Sequence, residues 1–324
     1  MSNLNIRKLS ASLGVAPSTV SRVLGGKARQ YRISESTEQR VLAKARELGF
    51  RPNYFAHSLN TGRTHTVGLI FANTIDDFLG SIMEGTEAEL RGTEYQMVVA
   101  TCENDPALER LAMERMCHRQ VDGIILYPSA MPVGRRYPTG HLRQMAEMCL
   151  PCVVIGRKVG DGVDHVLFDD EVAGKLAAER FLAAGCREFG LVTLPIECSA
   201  NRGRVQGCVE ALRRHGVPDG AIVTVGADTP FEPGDVARLV DIDALFGVNT
   251  HVALECAQFL SRLRPLVGLR IEAFGASPVY GKLDAHVRLQ PMPAREMGRT
   301  ATRLLLERID DPKRPRRILR LPWP

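Results

Sequence analysis

With 324 residues, 44% of them hydrophobic, the chain is long enough for two or three domains and too apolar for wholesale disorder. No run approaches the roughly 18 uncharged apolar residues of a membrane span, no apolar leader follows Met1, and the eight cysteines show no framework spacing, so the expectation is reduced thiols in a cytoplasm and no membrane partner. The net charge of +5 is uneven: residues 1–64 hold eleven Lys/Arg against three acids (+8) and the remainder 31 against 34 (−3), so only the head is expected to meet a polyanion, a solvated basic face being the alternative.

Ile6, Leu9, Leu13 and Val15 space like one apolar helix face, with Gly14 as its stop. Pro17 suits the first position of a second helix, where a missing N–H is not needed. Val20, Val23 and Leu24 form the inner face of that helix, and Ser18, Thr19, Ser21 and Arg22 point away from it. A third helix is expected from about Ser34 to Leu48, with Val41, Leu42, Ala45 and Leu48 inward, Gly49 as its stop, and Ser34, Thr37 and Glu38 as its N-terminal cap. Two short helices about a glycine turn, braced by a third, is helix-turn-helix geometry.

Three segments carry a resemblance: Gly14-Val15-Ala16-Pro17-Ser18-Thr19-Val20-Ser21-Arg22-Val23-Leu24; Arg40-Val41-Leu42-Ala43 through Glu47-Leu48-Gly49-Phe50-Arg51-Pro52-Asn53; and Ala56-His57-Ser58-Leu59 through Thr61-Gly62-Arg63-Thr64. They resemble the LacI/GalR family of bacterial repressors, and the likeness continues to about residue 310. The segment Gly25–Ser34 is longer than the family's usual turn and is similar to the branch that holds the fructose repressor (catabolite repressor-activator) and the sucrose repressors.

In a major-groove helix, Arg22 can give two hydrogen bonds to guanine O6 and N7; the alternative is a plain surface arginine. Pro17, Ser18, Thr19 and Ser21 are expected beside it on DNA. Lys27, Arg29 and Arg32 on the loop, with Ser34 and Thr37, are expected to set position on phosphates. Two positions depart from the family. Ala16 stands where Ser is usual, so it offers no side-chain cap, and Gly25 stands where Asn is common.

Arg51-Pro52-Asn53 ends the bundle, since a residue before proline avoids helix. Asn53–Asn60 allows two helical turns, too short to persist alone in water. The resemblance implies that this hinge orders on DNA beside its twin. Leu59, six residues past Asn53 as in the family, would be the wedge that opens a central base step, and Ala56 would let the two hinge helices approach. An ordinary core leucine in a plain linker is the competing reading.

Beyond residue 65, short apolar runs alternate with helical stretches. Strands are expected at Val67–Phe71, Tyr95–Ala100, Val121–Leu126 and Val153–Ile155, with helices through Met83–Leu90 and Leu108–Arg119. The alternation restarts after residue 168 with a helix at Leu176–Ala184, a strand at Phe189–Leu194, a helix at Arg204–His215, and strands at Ile222–Val225, Ala244–Val248 and Ile271–Phe274. This indicates an α/β clamshell of two doubly wound parallel-sheet subdomains, like periplasmic sugar-binding proteins, behind an all-α helix-turn-helix head. The expected division is a head at 1–52, a hinge and linker at 53–64, and an effector and dimerisation domain at 65–324. Its first subdomain would take about 65–167 plus 291–312, through a helix at Ala294–Ile309 that the resemblance returns to the first half, and its second about 168–290 plus 313–324.

Ligands bind at the carboxyl ends of strands in such sheets. Asn73, Phe78, Ser129, Arg157, Arg204, Asn249 and Phe274 stand there as effector contacts. The segment Ser199–Gly207 looks like the family's Ser-x-x-Arg-x-Arg-x-x-Gly element, whose second arginine contacts effector, which marks Arg204; Arg157 follows where the family has Ile-Asp-Arg. Two converging arginines suit an anion such as a sugar phosphate; the alternative is that they pair with surface acids. Gly156, Thr250 and Gly275 stand where many members carry aspartates that accept sugar hydroxyls, which argues against a neutral sugar bound in the usual way and leaves a degenerate site open.

No cofactor or metal is expected. Cys149-Leu150-Pro151-Cys152 has no second pair or histidine cluster, and no G-x-G-x-x-G or P-loop occurs. With no nucleophile–base pair, an enzyme is not expected; a sugar-modifying enzyme and a transport protein are the rival classes. The reading is a cytoplasmic, nucleoid-associated homodimer on a pseudo-palindromic operator. It would repress carbohydrate-utilisation genes and release on binding a phosphorylated sugar such as a fructose phosphate, a corepressor being the mirror case. The tail 316–324 has no heptads that would add a tetramer.

Overall fold

The computed structural model describes residues 6–50, 62–72, 77–226, 231, 233–275 and 285–323, in two compact units, residues 1–64 and residues 65–324. In the first unit, α1 (Ile6–Leu13), α2 (Pro17–Leu24) and α3 (Glu35–Glu47) close over a core of Leu9, Val20, Val23, Ala28, Val41 and Ala45. Gly14, at φ +65, ends α1, and the Val15 N–H reaches back to the Ser10 carbonyl at 3.2 Å. Arg40 donates to the Leu13 carbonyl at 3.0 Å and ties α3 to the end of α1.

The second unit holds two parallel sheets. The first lobe contains β1 (Thr66–Phe71), α4 (Asp77–Leu90), β2 (Gln96–Thr101), α5 (Pro106–His118), β3 (Gly123–Tyr127), the short β4 (Met131–Pro132), α6 (Gly140–Glu147), β5 (Cys152–Ile155) and β6 (Asp164–Phe168). The second lobe contains α7 (Asp170–Ala183), β7 (Phe189–Thr193), β8 (Ile196–Glu197), α8 (Ser199–Arg214), β9 (Ile222–Gly226), α9 (Pro233–Ala237), β10 (Ala244–Gly247), α10 (Thr250–Leu260), β11 (Arg270–Phe274) and β12 (His286–Gln290). The chain then returns through α11 (Ala294–Asp310) and β13 (Ile318–Leu321). The sheet orders are β13-β6-β5-β3-β1-β2 and β12-β11-β10-β7-β9, parallel throughout.

The central strands read as apolar runs because both their faces are covered. In β1, Val67, Leu69 and Phe71 pack with Met297, Ala301 and Leu305 of α11, while Ile70 on the opposite face packs with Met113 and Met116 of α5. One expected boundary is corrected. Residues 318–321 do not join the second lobe; β13 pairs in parallel with β6, Leu319 opposite Val166, and extends the first sheet. The cause is a buried carboxylate: Asp164 accepts from Arg308 on α11 at 2.9 and 3.2 Å and from the Arg317 N–H at 2.8 Å, which pins the tail to β6.

The lobes are also joined laterally. β4 of the first pairs antiparallel with β8 of the second, Met131 opposite Glu197 and Pro132 opposite Ile196. Trp323 packs against both lobe cores, with ring centroids 5.5 Å from Phe168 and 5.0 Å from Phe274, and its indole N–H donates to the Asp169 carbonyl at 2.8 Å. Among the described residues no helix is long and apolar enough to cross a membrane, and no group of His, Cys, Asp and Glu is placed to hold a metal.

Candidate functional site

Two sites emerge, one in each unit. In the head, Pro17 opens α2 and Ala16 stands at its N-cap with no side-chain hydrogen bond; the Thr19 N–H bonds the Ala16 carbonyl at 2.9 Å instead. Pro17, Ser18 and Arg22 are exposed, and Thr19 and Ser21 half-buried. Lys27, Arg29 and Arg32 are exposed on the loop that follows. Ser34 caps α3: its oxygen accepts from the Thr37 N–H at 3.3 Å and its hydroxyl donates to Thr37 Oγ1 at 2.9 Å. Ser34 and Thr37 thus have structural tasks that any phosphate contact must share. Tyr31, which no sequence pattern marks, lies with its ring under the Arg22 guanidinium, whose Cζ is 4.0 Å from the ring centroid. Asn53, Ala56 and Leu59 of the expected hinge lie outside the described residues, as does Asn73.

In the second unit a cavity of about 560 Å³ lies between the lobes, at the carboxyl ends of β3, β5, β6, β7, β10 and β11. Phe78, Arg157, Arg204, Asn249 and Phe274 all line it. Ser129 does not. It is buried, its N–H donates to Glu109 Oε2 at 2.6 Å, and its hydroxyl lies 3.6 Å from Cys102 Sγ. Glu109 on α5 draws the chain after β3 away from the cavity, so Tyr127, two residues earlier, takes the place expected of Ser129. Asp77, Asn104, Tyr127, Asn201 and His251 also line the cavity and were not anticipated. Asp77 was within reach, since it opens the helix that carries Phe78.

Arg204 is 6% exposed and lies across three elements. Its Nε donates to Asp170 Oδ1 of α7 at 2.8 Å, Nη1 to the Val248 carbonyl at 2.7 Å, and Nη2 to Met292 Sδ at 3.4 Å, while the guanidinium sits 4.9 Å from the Phe274 ring centroid. Its partner is therefore a buried acid, not a surface one. Burial pushes the Asp170 carboxyl above its ordinary range, and the attraction of Arg204 offsets part of that rise. The glycine of the Ser-x-x-Arg-x-Arg-x-x-Gly element explains the close approach of α7 and α8. A Cβ on Gly207 would lie 2.0 Å from the Glu171 carbonyl oxygen, so backbone meets backbone there and Arg204 reaches Asp170.

Arg157, also 6% exposed, donates from Nη1 to the Pro128 carbonyl at 2.6 Å and lies 3.5 Å from Asn104 Oδ1. Its guanidinium covers Tyr127 at 4.4 Å, and its buried Nε has no hydrogen-bond partner among the described residues. Burial works to lower its pKa, but Tyr127, Cys198 and Glu109 outweigh it, so the charge is kept. Gly156 is required here: φ is +69, and a Cβ would lie 2.7 Å from Tyr127 Cε2, which leaves no room for an aspartate. Thr250 donates its hydroxyl to the carbonyls of Phe274 and Gly275, each at 3.0 Å, and ties the start of α10 to the end of β11. Asn249 Oδ1 caps α10 by accepting from the Val252 N–H at 2.8 Å. Among the described residues Asp77 is then the only carboxylate lining the cavity, against Arg157, Arg204 and His251.

Comparison with known proteins fits this division. Residues 11–53 match the bacterial regulatory proteins of the lacI family, and residues 178–323 match a periplasmic binding protein-like domain. The HTH-type transcriptional regulator PtxS of Pseudomonas plecoglossicida is 28% identical over 329 residues, which covers 98% of this chain and 93% of that protein. Three solved structures share the fold. The lac repressor dimer bound to operator and an anti-inducer has a TM-score of 0.79 at 16% identity, covering 99% of this chain and 97% of that one. The CelR–cellobiose complex has a TM-score of 0.68 at 23% identity, with coverage of 99% and 97%. The Cra regulator of Pseudomonas putida with fructose 1-phosphate has a TM-score of 0.66 at 20% identity, with coverage of 80% and 97%.

Proposed function

We propose, from the premise that the chain belongs to the lacI family of transcriptional regulators, that it is a cytoplasmic homodimeric repressor of carbohydrate-utilisation genes which leaves its operator on binding a phosphorylated sugar such as a fructose phosphate. Each head places α2 in a major groove, with Arg22 on a guanine and Lys27, Arg29 and Arg32 on phosphates. Two heads meet the half-sites of a pseudo-palindrome, and the hinge residues Asn53, Ala56 and Leu59 pair over its centre. Ser18, Thr19 and Ser21 complete the contacts of α2.

The observation that carries the effector reading is the charge of the cavity. Among the described residues its lining has two buried guanidinium groups and one carboxylate, Asp77; Arg204 is already paired with Asp170, whereas Arg157 donates its hydrogen bonds to neutral acceptors. An anion supplies Arg157 with the charged partner that its neutral acceptors do not; a neutral sugar does not. The ligand draws the lobes together and favours the dimer form in which the hinges do not pair, so operator affinity falls by linkage.

The test is operator release by fluorescence anisotropy, using a duplex selected from a random pool by the intact protein. Fructose 1-phosphate and fructose 6-phosphate should release it, and fructose, ribose and cellobiose should not. Release by a neutral sugar alone, or tighter binding with either phosphate, overturns the effector reading. Failure to select any sequence overturns the DNA reading.

A further inference from the structure

We propose that Tyr31 is a specificity-determining positioning residue of the head, which holds the Arg22 guanidinium in one orientation for base contact; this rests on the reading of Arg22 as the base-reading side chain. The observation is a contact across nine residues of sequence: Arg22 Cζ lies over the Tyr31 ring, 4.0 Å from its centroid.

An exposed arginine has many rotamers to lose when it binds, and that loss weakens binding. There are two ways to restrain it beforehand. A carboxylate would occupy the N–H edge, which is the edge a base must receive. An aromatic ring covers only the face and leaves the planar fork of N–H donors to the ligand. Among the described residues no hydrogen bond or ion pair engages the Arg22 guanidinium, so the ring is the restraint observed.

Tyr31 is itself held by backbone rather than by burial. It is 46% exposed, too open for a ring retained by core packing. The Lys27 N–H bonds the carbonyl of Arg22 itself at 2.9 Å, the Tyr31 N–H bonds the Lys27 carbonyl at 3.2 Å, and the Ile33 N–H bonds the Ala28 carbonyl at 3.0 Å. Ala28, 1% exposed, anchors this loop in the head core, and Arg32 at φ +53 turns the chain immediately after the ring. The length of the segment Gly25–Ser34 thus has a use: it carries an aromatic residue back across the outer face of α2. A side chain so presented can meet guanine O6 and N7 with both donors at once, and discrimination between bases follows from that geometry.

The experiment uses the full chain and a duplex selected from a random pool by it, with anisotropy titrations at fixed salt on that duplex, on its single-base variants, and on a random duplex. Four proteins are compared with the unsubstituted one: Tyr31→Ala, Tyr31→Phe, Arg22→Ala and the double variant Tyr31→Ala/Arg22→Ala. Tyr31→Ala should weaken the selected duplex by about two- to fivefold, the range of an exposed cation–π contact, and blunt preference at the base pair that Arg22→Ala affects. Tyr31→Phe keeps the ring and should bind as the parent does. Adding Tyr31→Ala to Arg22→Ala should change nothing further, and random DNA should not distinguish Tyr31→Ala from the parent. Equal loss with and without Arg22, equal loss on random DNA, or failure of phenylalanine to preserve specificity each overturns the proposal. If Arg22→Ala itself leaves base preference intact, the underlying reading fails and this one with it; if Arg22→Ala relaxes preference and Tyr31→Ala does not, only this one fails.

Discussion

Arg204→Met separates the electrostatic task of Arg204 from its volume. Methionine fills much of the same space but removes the 2.8 Å ion pair to Asp170 and the 2.7 Å hydrogen bond to the Val248 carbonyl. Asp170, 8% exposed, then loses its hydrogen-bonded cation. Removing one partner of a buried pair costs about 3–5 kcal/mol, because the remaining charge is left uncompensated. Against a total stability of about 5–15 kcal/mol the variant stays folded with a much reduced margin. In urea at pH 7 its midpoint should fall by about 1–2 M. Asp170→Asn in the same chain should recover at least half of the loss, since the stranded charge is gone.

The pH dependence provides a second check. Burial raises the folded-state pKa of Asp170 above its ordinary 3.8. A carboxyl raised on folding is no liability below its unfolded pKa, and it destabilises progressively as pH rises through its folded pKa. With Met at 204 the rise grows, so the stability gap between variant and parent should be narrow below pH 3.8 and widest at neutral pH. Both variants should bind operator and ignore effector. A single variant as stable as the parent at pH 7, a double variant no better than the single, or a gap that does not narrow in acid would refute this account.

Three further outcomes are expected. Gly207→Ala would place a methyl 2.0 Å from the Glu171 carbonyl oxygen, so α7 and α8 must separate at a cost of about 1–3 kcal/mol; an unchanged melting temperature contradicts the close packing. Glu109, fully buried, has its carboxyl pushed up by burial but pulled lower overall by hydrogen bonds from His141, Tyr137 and the Ser129 N–H. It therefore contributes stability above pH 4.5 that is lost as pH falls through its lowered folded pKa; Glu109→Gln should be less stable at neutral pH and converge with the parent in acid, and parallel acid-unfolding curves would count against it. Trp323 is the only tryptophan and touches Phe168 and Phe274, both cavity residues, so its emission should shift when effector binds; operator release with no change in emission removes it from the closure.

What the sequence made legible was local. Gly14, Pro17 and Ser34 punctuate the head with residues whose backbone chemistry leaves few alternatives, and the doubly buried strands of the first lobe stand out as apolar runs. What it concealed depends on distant partners. β6 reads poorly because Asp164 and His165 are polar, yet both are buried; the partner of Asp164 lies 144 residues away in Arg308, and His165 Nε2 bonds the Val159 carbonyl at 2.9 Å. β13 alternates exposed and half-buried positions, so its apolar signal is weak and its pairing with β6 is set by the same Asp164. Ser129 was placed by its position after a strand, and a buried glutamate on another element decides where that segment turns. The helical pattern singles out Arg22 but not the ring beneath it, since a loop has no period to read.

Charged side chains reach the cavity from both lobes. Asp77 and Arg157 face the cavity from the first lobe, and Arg204 and His251 face it from the second, so a single ligand can bind one arrangement of the lobes better than another. One lateral tie, beside the packing of Trp323 against both lobe cores, is short: β4 and β8 share two residue pairs, far fewer than an independently stable ribbon needs. Each of its hydrogen bonds adds about 0.5–1.5 kcal/mol net, so making or breaking the tie amounts to about 1–3 kcal/mol. Effector coupling in allosteric proteins typically spans about 1–3 kcal/mol as well. The β4–β8 part of the connection is therefore of a size that a ligand of ordinary differential affinity can offset. Arg204 and Asp170 are paired within the second lobe, so a movement of one lobe against the other does not require that this buried contact be broken.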